Sequence, residues 1–477
     1  MPIDQLFVFA PLQGGFAPAG RLTLTQGGRG VDASTFAYGL RYLDRPRGFE
    51  LDPVSLSLDD RDAARGVELR PINNLPEFGG IRDAAPDAWG RRVIEARRKV
   101  PANSLSEATY LFDAGSDRVG ALDVRPSLED GGRAGTSPVQ NIGHLMEAAE
   151  RIESGEPVPG RLTDLFGSGP GAGGARPKAA VRDDSGLLWL AKFPSRSDTF
   201  DVATAEYATL KLAALCGMSV PAARLVDIGG RSVLLIRRFD RYWHEGPALP
   251  LAEVVLHETL PGAGTQEHRL PFVSGLTLLA CDEFDSRFKG YADLGHAVRR
   301  HVHPSHIRAN NNELFARMVF NIFVSNDDDH LRNHGFVRDP RVEGWRLSPL
   351  YDVVPRPGVA LERFLHLEVG AQGKLATLDN AMTGHAAFIP DRPAAVAVIR
   401  RVWGEMRQWR AHFESFGVSG RLIDALTFGI RDLDDIASPA LRAEVRRPPT
   451  LDDHGTGCGK LRVVQRNRVG DHYDHQP

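Results

Sequence analysis

Apolar residues near the start of the chain come in short alternating runs, Leu6-Phe7-Val8-Phe9, Phe36-Ala37-Tyr38-Gly39-Leu40 and Val54-Ser55-Leu56-Ser57-Leu58. They predict strands of a small sheet reaching to about Val124. The run from Pro86 to Ile94 predicts a helix with proline near its start. Gly, Asp and Ser dominate Arg125 to Ser137, a linker composition, before helical spacing resumes near Ile142 to Ile152. Two strand pairs follow. Ala179 to Arg182 and Leu187 to Phe193 flank the turn Asp183-Asp184-Ser185-Gly186, and Arg224 to Ile228 and Ser232 to Ile236 flank Gly229-Gly230. Between them Val202 to Cys216 has helical periodicity and stops at Gly217. From Pro271 onward the pattern predicts mostly helices, at Phe272 to Ala280, Ala292 to Val302, Glu313 to Ser325, Ala394 to Phe413 and Gly420 to Ile436. Past Ser438 apolar residues become scarce, which predicts a poorly ordered tail.

Composition narrows the class. A chain of 477 residues, 42% hydrophobic and 25% charged, can bury a large core and predicts about two to four domains of a soluble globular protein. Its 58 Lys+Arg against 61 Asp+Glu leave a net charge of −3, so no electrostatic footprint marks direct nucleic-acid binding. Cys216, Cys281 and Cys458 lie far apart and leave an odd thiol under any pairing, as expected in a reducing compartment. Neither a leader pattern at Met1 nor a run of bilayer length is visible, and the expected location is the cytoplasm, with no membrane contact.

Candidate chemistry concentrates in Ser325-Asn326-Asp327-Asp328-Asp329-His330-Leu331-Arg332-Asn333-His334-Gly335-Phe336. Upstream, Leu314, Phe315, Met318, Val319, Ile322 and Phe323 share a helical face, with Asn residues before Glu313 able to cap the first turn, so the loop hangs from a buried helix end. Asp328 and Asn333 are spaced like the base aspartate and metal-holding asparagine of the protein-kinase pattern D-x-x-x-x-N. Taken alone, an acidic run that caps a helix explains the stretch equally well.

The order of the remaining signals changes that balance. The glycine-rich stretch Gly167 to Lys178 gives backbone freedom around an anion without being a Walker A loop. Lys192 ends a predicted strand, and Glu206 lies early in the next helix, where the two can pair and aim the ammonium at ATP phosphates. Arg237 to Phe239 would connect to a second lobe and hold adenine. Asp352, after Leu347-Ser348-Pro349-Leu350-Tyr351, stands where a kinase keeps its second metal-binding carboxylate, although Asp-Phe-Gly is absent. The expected fold is α+β and two-lobed, protein-kinase-like, with a β-rich subdomain over 1–124, a linker and ATP-binding small lobe over 125–240, a helical catalytic lobe over 241–437 and the tail over 438–477.

The chain resembles a family, the HipA-like serine/threonine kinases, the toxin half of a bacterial toxin–antitoxin pair. The resemblance rests on Gly174-Ala175-Arg176-Pro177-Lys178, Arg238-Phe239-Asp240-Arg241, Asp328 to Phe336 and Leu347 to Asp352, with Phe36 to Leu58 and Phe78-Gly79-Gly80-Ile81-Arg82-Asp83 similar to the family's N-terminal subdomain. It implies Lys192 on the ATP phosphates, Asp328 as base, Asn333 and Asp352 on Mg2+, adenine held near Arg237 to Phe239, and His330 shaping the loop. It also implies a protein Ser/Thr acceptor and a small DNA-binding antitoxin as partner. The chain departs from the family twice. Gly171 stands where some members autophosphorylate a serine, leaving Ser168 as the nearest substitute. Val273-Ser274-Gly275-Leu276-Thr277 replaces the His-Gln-Glu-Asp run of many toxin-like members, which places the chain in a divergent branch. Three rival readings compete with a protein kinase: a kinase for small alcohols, a nucleotide-binding pseudokinase, and a metal hydrolase using Asp327, Asp329, His330 and His334. The last lacks a complementary ligand cluster.

Overall fold

The computed structural model describes residues 3–12, 15–27, 30–132, 135–166, 174–246 and 249–448. The N-terminal strands β1 (Ile3–Leu12), β2 (Gly15–Gly27), β3 (Gly30–Tyr38) and β4 (Asp123–Arg125) form one antiparallel sheet in the order β3-β2-β1-β4. Its period-two pattern turns Leu6, Val8, Leu22, Leu24, Phe36 and Tyr38 into a single core with Leu51, Leu56, Phe78 and Ile81. The alternation at Val54 to Leu58 is not a strand. Its amides turn instead onto one buried carboxylate, Asp52, which accepts from Val54, Ser55 and Leu56 at 2.9, 2.6 and 3.1 Å. The helix Ala88–Arg98 starts after Asp87, whose side chain caps it by accepting from the Gly90 amide, and Pro86 stands just before that cap.

The small lobe is a sheet of β5 (Ser137–Pro138), β6 (Lys178–Arg182), β7 (Leu188–Lys192), β8 (Ala223–Ile228) and β9 (Arg231–Arg237), in the order β5-β6-β7-β9-β8. Alternation divides its residues between two cores. Val233 and Leu235 pack with Val181, Trp189 and the helix Ile142–Ser154, while Leu234 and Ile236 pack with Ala203 and Leu210 of the helix Val202–Leu215. Lys178 is registered opposite Lys192, and Lys192 opposite Leu234, so both lysines lie on the face that this second helix covers.

A hairpin of β10 (Arg241–Glu245) and β11 (Thr265–Arg269) leads into the larger lobe. Here the helix Pro304–Val324 is the buried axis, with Leu314, Phe315, Met318, Val319, Ile322 and Phe323 all at most 1% exposed. It begins well before Glu313. Pro304 occupies its first turn and His303 caps it, so the expected asparagine caps lie inside the helix, where Asn310 accepts from the Leu347 amide and Asn311 is buried. Phe272 to Ser274 is not helical but forms β12, paired with β13 (Gly335–Asp339), which pairs in turn with β14 (Gly344–Leu347). Only Gly275–Leu278 coils, after Ser274 caps it. The expected long helices each break in two, as Arg392–Met406 with Trp409–Ser415, and Gly420–Leu426 with Leu433–Ile436. Order also continues past Ser438. That residue caps a helix, Pro439–Arg446, whose Leu441 and Val445 are buried in the large core, so the predicted tail starts too early. Residues 449–477, with Cys458, lie outside the described residues. Among the described residues no helix is long and apolar enough to cross a membrane.

Candidate active site

Lys192 Nζ donates to Glu206 Oε1 at 2.6 Å and to Asp352 Oδ1 at 2.7 Å. The sheet supplies the lysine, the first turns of the helix Val202–Leu215 supply Glu206, and the segment after β14 supplies Asp352, whose backbone adopts the left-handed region at φ +59°. A non-glycine residue held there is a strained placement that the surrounding structure must enforce. Burial raises the Glu206 pKa, Lys192 pulling the other way. Partial burial pushes the half-buried Asp352 carboxyl up as well, but Lys192 outweighs that and holds it below the ordinary range. The pair of carboxylates in turn raises Lys192 against its own burial. The ammonium is charged and fixed.

The loop below it is built on the end of the central helix, which Ser325 closes at φ +52°. Asn333 is buried, and its Nδ2 donates to the Asp328 carbonyl at 2.7 Å, drawing the two ends of the loop together. The Asp328 side chain is 77% exposed at the mouth of the cleft, 3.7 Å from His330 Nε2. Partial enclosure raises its pKa, His330 opposes this, and the charges of Asp352 and Asp327 add to the rise. Its two neighbours in chemistry, Asp329 and His334, are structural instead. Burial pushes Asp329 up to about 7 while the Tyr291 hydroxyl and the His366 amide act the other way. His334, packed edge-on against Tyr291, is pushed down to about 3, chiefly by burial. Among the described residues no group of three or more His, Cys, Asp or Glu gathers to hold a metal.

A cleft of about 780 Å3, counting space open to solvent, runs between the lobes. Of the residues singled out in the sequence, Lys192, Arg237, Phe239, Asn333 and Asp352 line it. Glu206 stands behind Lys192, and Asp328 and His330 stand outside its lining, at the mouth. Phe239 stacks on Tyr351 with ring centroids 5.5 Å apart, forming an apolar end for a planar base. The Arg237 side chain turns away to the Thr259 carbonyl, and the amides of Arg237 and Arg238 are spent on Ala222 and Leu188. Arg237 therefore contributes position rather than its charge. Of the expected phosphate loop, Gly167 to Lys178, residues 167–173, and with them Ser168 and Gly171, lie outside the described residues, while Gly174 to Lys178 are described.

Sequence reasoning missed several lining residues. Val119 comes from the N-terminal subdomain with nothing local in the sequence to signal it, and Asp83, Arg332 and Tyr351 stand in the sequence only as parts of motifs. Lys178 was also missed as a charge. It is buried, with Nζ 2.7 Å from Asp87 Oδ2 and 3.0 Å from the Gly174 carbonyl, and its register opposite Lys192 was readable from the hairpin turn.

Residues 171–410 match the family described as the HipA-like C-terminal domain. Two Sinorhizobium fredii proteins, carried under the names "Putative kinase Y4dM" and "Putative kinase Y4mE", are 26% and 25% identical over 78% and 77% of this chain and 83% and 82% of their own lengths. A chain in the HipA, HipB and operator DNA toxin–antitoxin complex of Shewanella oneidensis MR-1 superposes with a TM-score of 0.58 at 16% identity, covering 93% of this chain and 96% of that one. At that identity the likeness speaks for the fold, which is two-lobed with a β-rich N-terminal subdomain and a helical C-terminal lobe. With half of its length matched by the family and a kinase-like cleft between its lobes, the chain belongs to the HipA-like family.

Proposed function

We propose that this chain is an ATP-dependent protein kinase that transfers the γ-phosphoryl group to a Ser or Thr hydroxyl. The carrying observation is the Lys192 ammonium, fixed between Glu206 and Asp352 on the wall of a cleft that Asn333 and Phe239 also line. Lys192 offers charge to the phosphates, and Phe239 with Tyr351 offers apolar surface to adenine. Asp328 orients the acceptor hydroxyl and takes its proton late, since transfer of this kind depends mainly on positioning and electrostatics. Its exposure at the cleft mouth suits a hydroxyl carried on a macromolecule better than a small enclosed alcohol.

The side chains present fit Mg2+, which takes one or two carboxylate-type ligands together with phosphate oxygens and water rather than an all-protein cage. Asn333 and Asp352 would hold it, the first by its uncommitted amide oxygen and the second by the carboxylate oxygen that Lys192 leaves. When bound, the ion neutralises phosphate charge and aligns the transferred group.

A kinase drawing on ATP acts in the cytoplasm, and a small DNA-binding antitoxin is the partner we assign by analogy with the HipA–HipB complex. The near-neutral charge of this chain agrees with DNA contact made by that partner. Incubation with labelled Mg-ATP and a cell lysate tests the reading. The native chain should label at least one protein on Ser or Thr, while Asp328→Ala binds ATP and labels none. Equal labelling by the two would overturn it.

A further inference from the structure

Asp83 belongs to the N-terminal subdomain but lies in the cleft wall, 2% exposed. Its carboxylate accepts from the Ser274 amide at 2.6 Å, the Ser274 hydroxyl at 2.8 Å and the Thr277 hydroxyl at 2.6 Å, all in the large lobe. Three neutral donors would be met by a neutral acceptor. The charge faces Arg332, whose guanidinium lies 3.6 Å away and whose other side meets Glu283 near the surface. Arg332 sits inside the catalytic loop, between Asp328 and Asn333, and its carbonyl accepts from the Tyr351 hydroxyl at 2.6 Å, next to Asp352.

The same subdomain reaches two other parts of the cleft. Asp87 pairs with Lys178, and the Trp89 indole donates to the Lys178 carbonyl at 2.8 Å, where the small lobe leaves the glycine-rich stretch. Val119 lines the cleft, and the Gly120 amide donates to Asp240 at 2.7 Å in the connector. One subdomain thus touches the small lobe, the connector and the catalytic loop.

We infer that Asp83, acting through Arg332, is a positioning residue for the catalytic loop, which makes the N-terminal subdomain a working part of the transfer site. The inference rests on the kinase reading above. The ion pair fixes Arg332, Arg332 fixes the loop backbone and the Tyr351 hydroxyl, and these set Asn333 and Asp352 against each other. Displacement of such groups by about 1 Å costs on the order of a hundredfold in rate without loss of binding.

The test uses the full chain with labelled Mg-ATP and the labelled lysate protein as acceptor, comparing Asp83→Asn, Arg332→Gln and the double variant. Asn keeps an acceptor for Ser274 and Thr277 but removes the charge. Each single variant is expected to lose about tenfold or more in kcat with the KM for ATP within about threefold, and the double variant should be no worse than the worse single one. Full turnover in folded Asp83→Asn, or losses that add in the double variant, would overturn the inference. If Asp83→Asn does not fold, Arg332→Gln, at a partly exposed position, decides it by the same split: lower kcat at constant KM supports it and unchanged kcat overturns it. Failure of the kinase reading looks different, because the native chain would then label no more than Asp328→Ala.

Discussion

The Lys192 ammonium lies 2.7 Å from an Asp352 carboxylate oxygen, across 160 residues of chain. That contact closes the small lobe onto the large one, and Glu206 holds the ammonium from behind at 2.6 Å. Lys192→Met should reduce phosphoryl transfer by about a hundredfold or more, because it removes the cation nearest the phosphates. Glu206→Gln keeps the cation but loosens its aim, and a smaller loss of about tenfold is expected. Single-turnover transfer from labelled ATP measures both.

Phe239 and Tyr351, stacked at 5.5 Å, form the apolar end of the cleft, with Phe272 tilted against Phe239 at 6.2 Å. Phe239→Ala should weaken nucleotide binding by about tenfold, the scale of one aromatic stack on a base. Titration of a fluorescent ATP analogue reads this directly. An unchanged affinity would place adenine elsewhere.

Asp329 and His334 impose opposite pH dependences on stability. The Asp329 pKa is raised to about 7, so its contribution is complete below the ordinary carboxylate range and is lost as pH rises through about 7. The His334 pKa is lowered to about 3, so its contribution is complete above the ordinary imidazole value and is lost as pH falls toward 3. Between about pH 4 and 6.5 the two slopes oppose each other. Asp329→Asn should leave a chain that loses stability on acidification across this window, and His334→Gln one that loses stability as pH rises through it. Urea unfolding at stepped pH checks both signs.

Asp240 accepts from the Gly120 amide and bonds Arg238 and Arg241, all buried. Despite burial, the two guanidinium groups hold its carboxyl well below the ordinary range. Asp240→Ala leaves two buried cations short of a counter-charge and should cost about 3–5 kcal/mol. Chemical denaturation would show the midpoint fall.

Much of this architecture is legible in the chain because it is carried by local periodicity. The hairpins around Asp183 to Gly186 and Gly229-Gly230, the helix bearing Glu206 and the helix ahead of Asp328 all show their own turn or face. The errors have physical causes. Val54 to Leu58 alternates like a strand because two leucines of a loop are buried, while its amides bind Asp52. Phe272 to Ser274 reads as helix because its apolar run continues into Gly275–Leu278, and it is the pairing of these three residues with Gly335 to Val337 that makes them a strand. The place of Asp83 and Val119 in the cleft is not legible, because their partners lie far away in sequence and no spacing rule reports a contact of that kind.

The register of β6 against β7 has a consequence for how the chain can vary. Lys178 and Lys192 face each other across a turn clasped by Asp183, whose side chain accepts from the Ser185 and Leu187 amides and the Trp189 indole. A strand that slips by a single position turns every side chain over. Insertion or deletion of one residue between Asp183 and Gly186 would therefore send the ammonium of one lysine to the opposite side of the sheet, so the length of a surface turn governs chemistry performed at the far end of the hairpin.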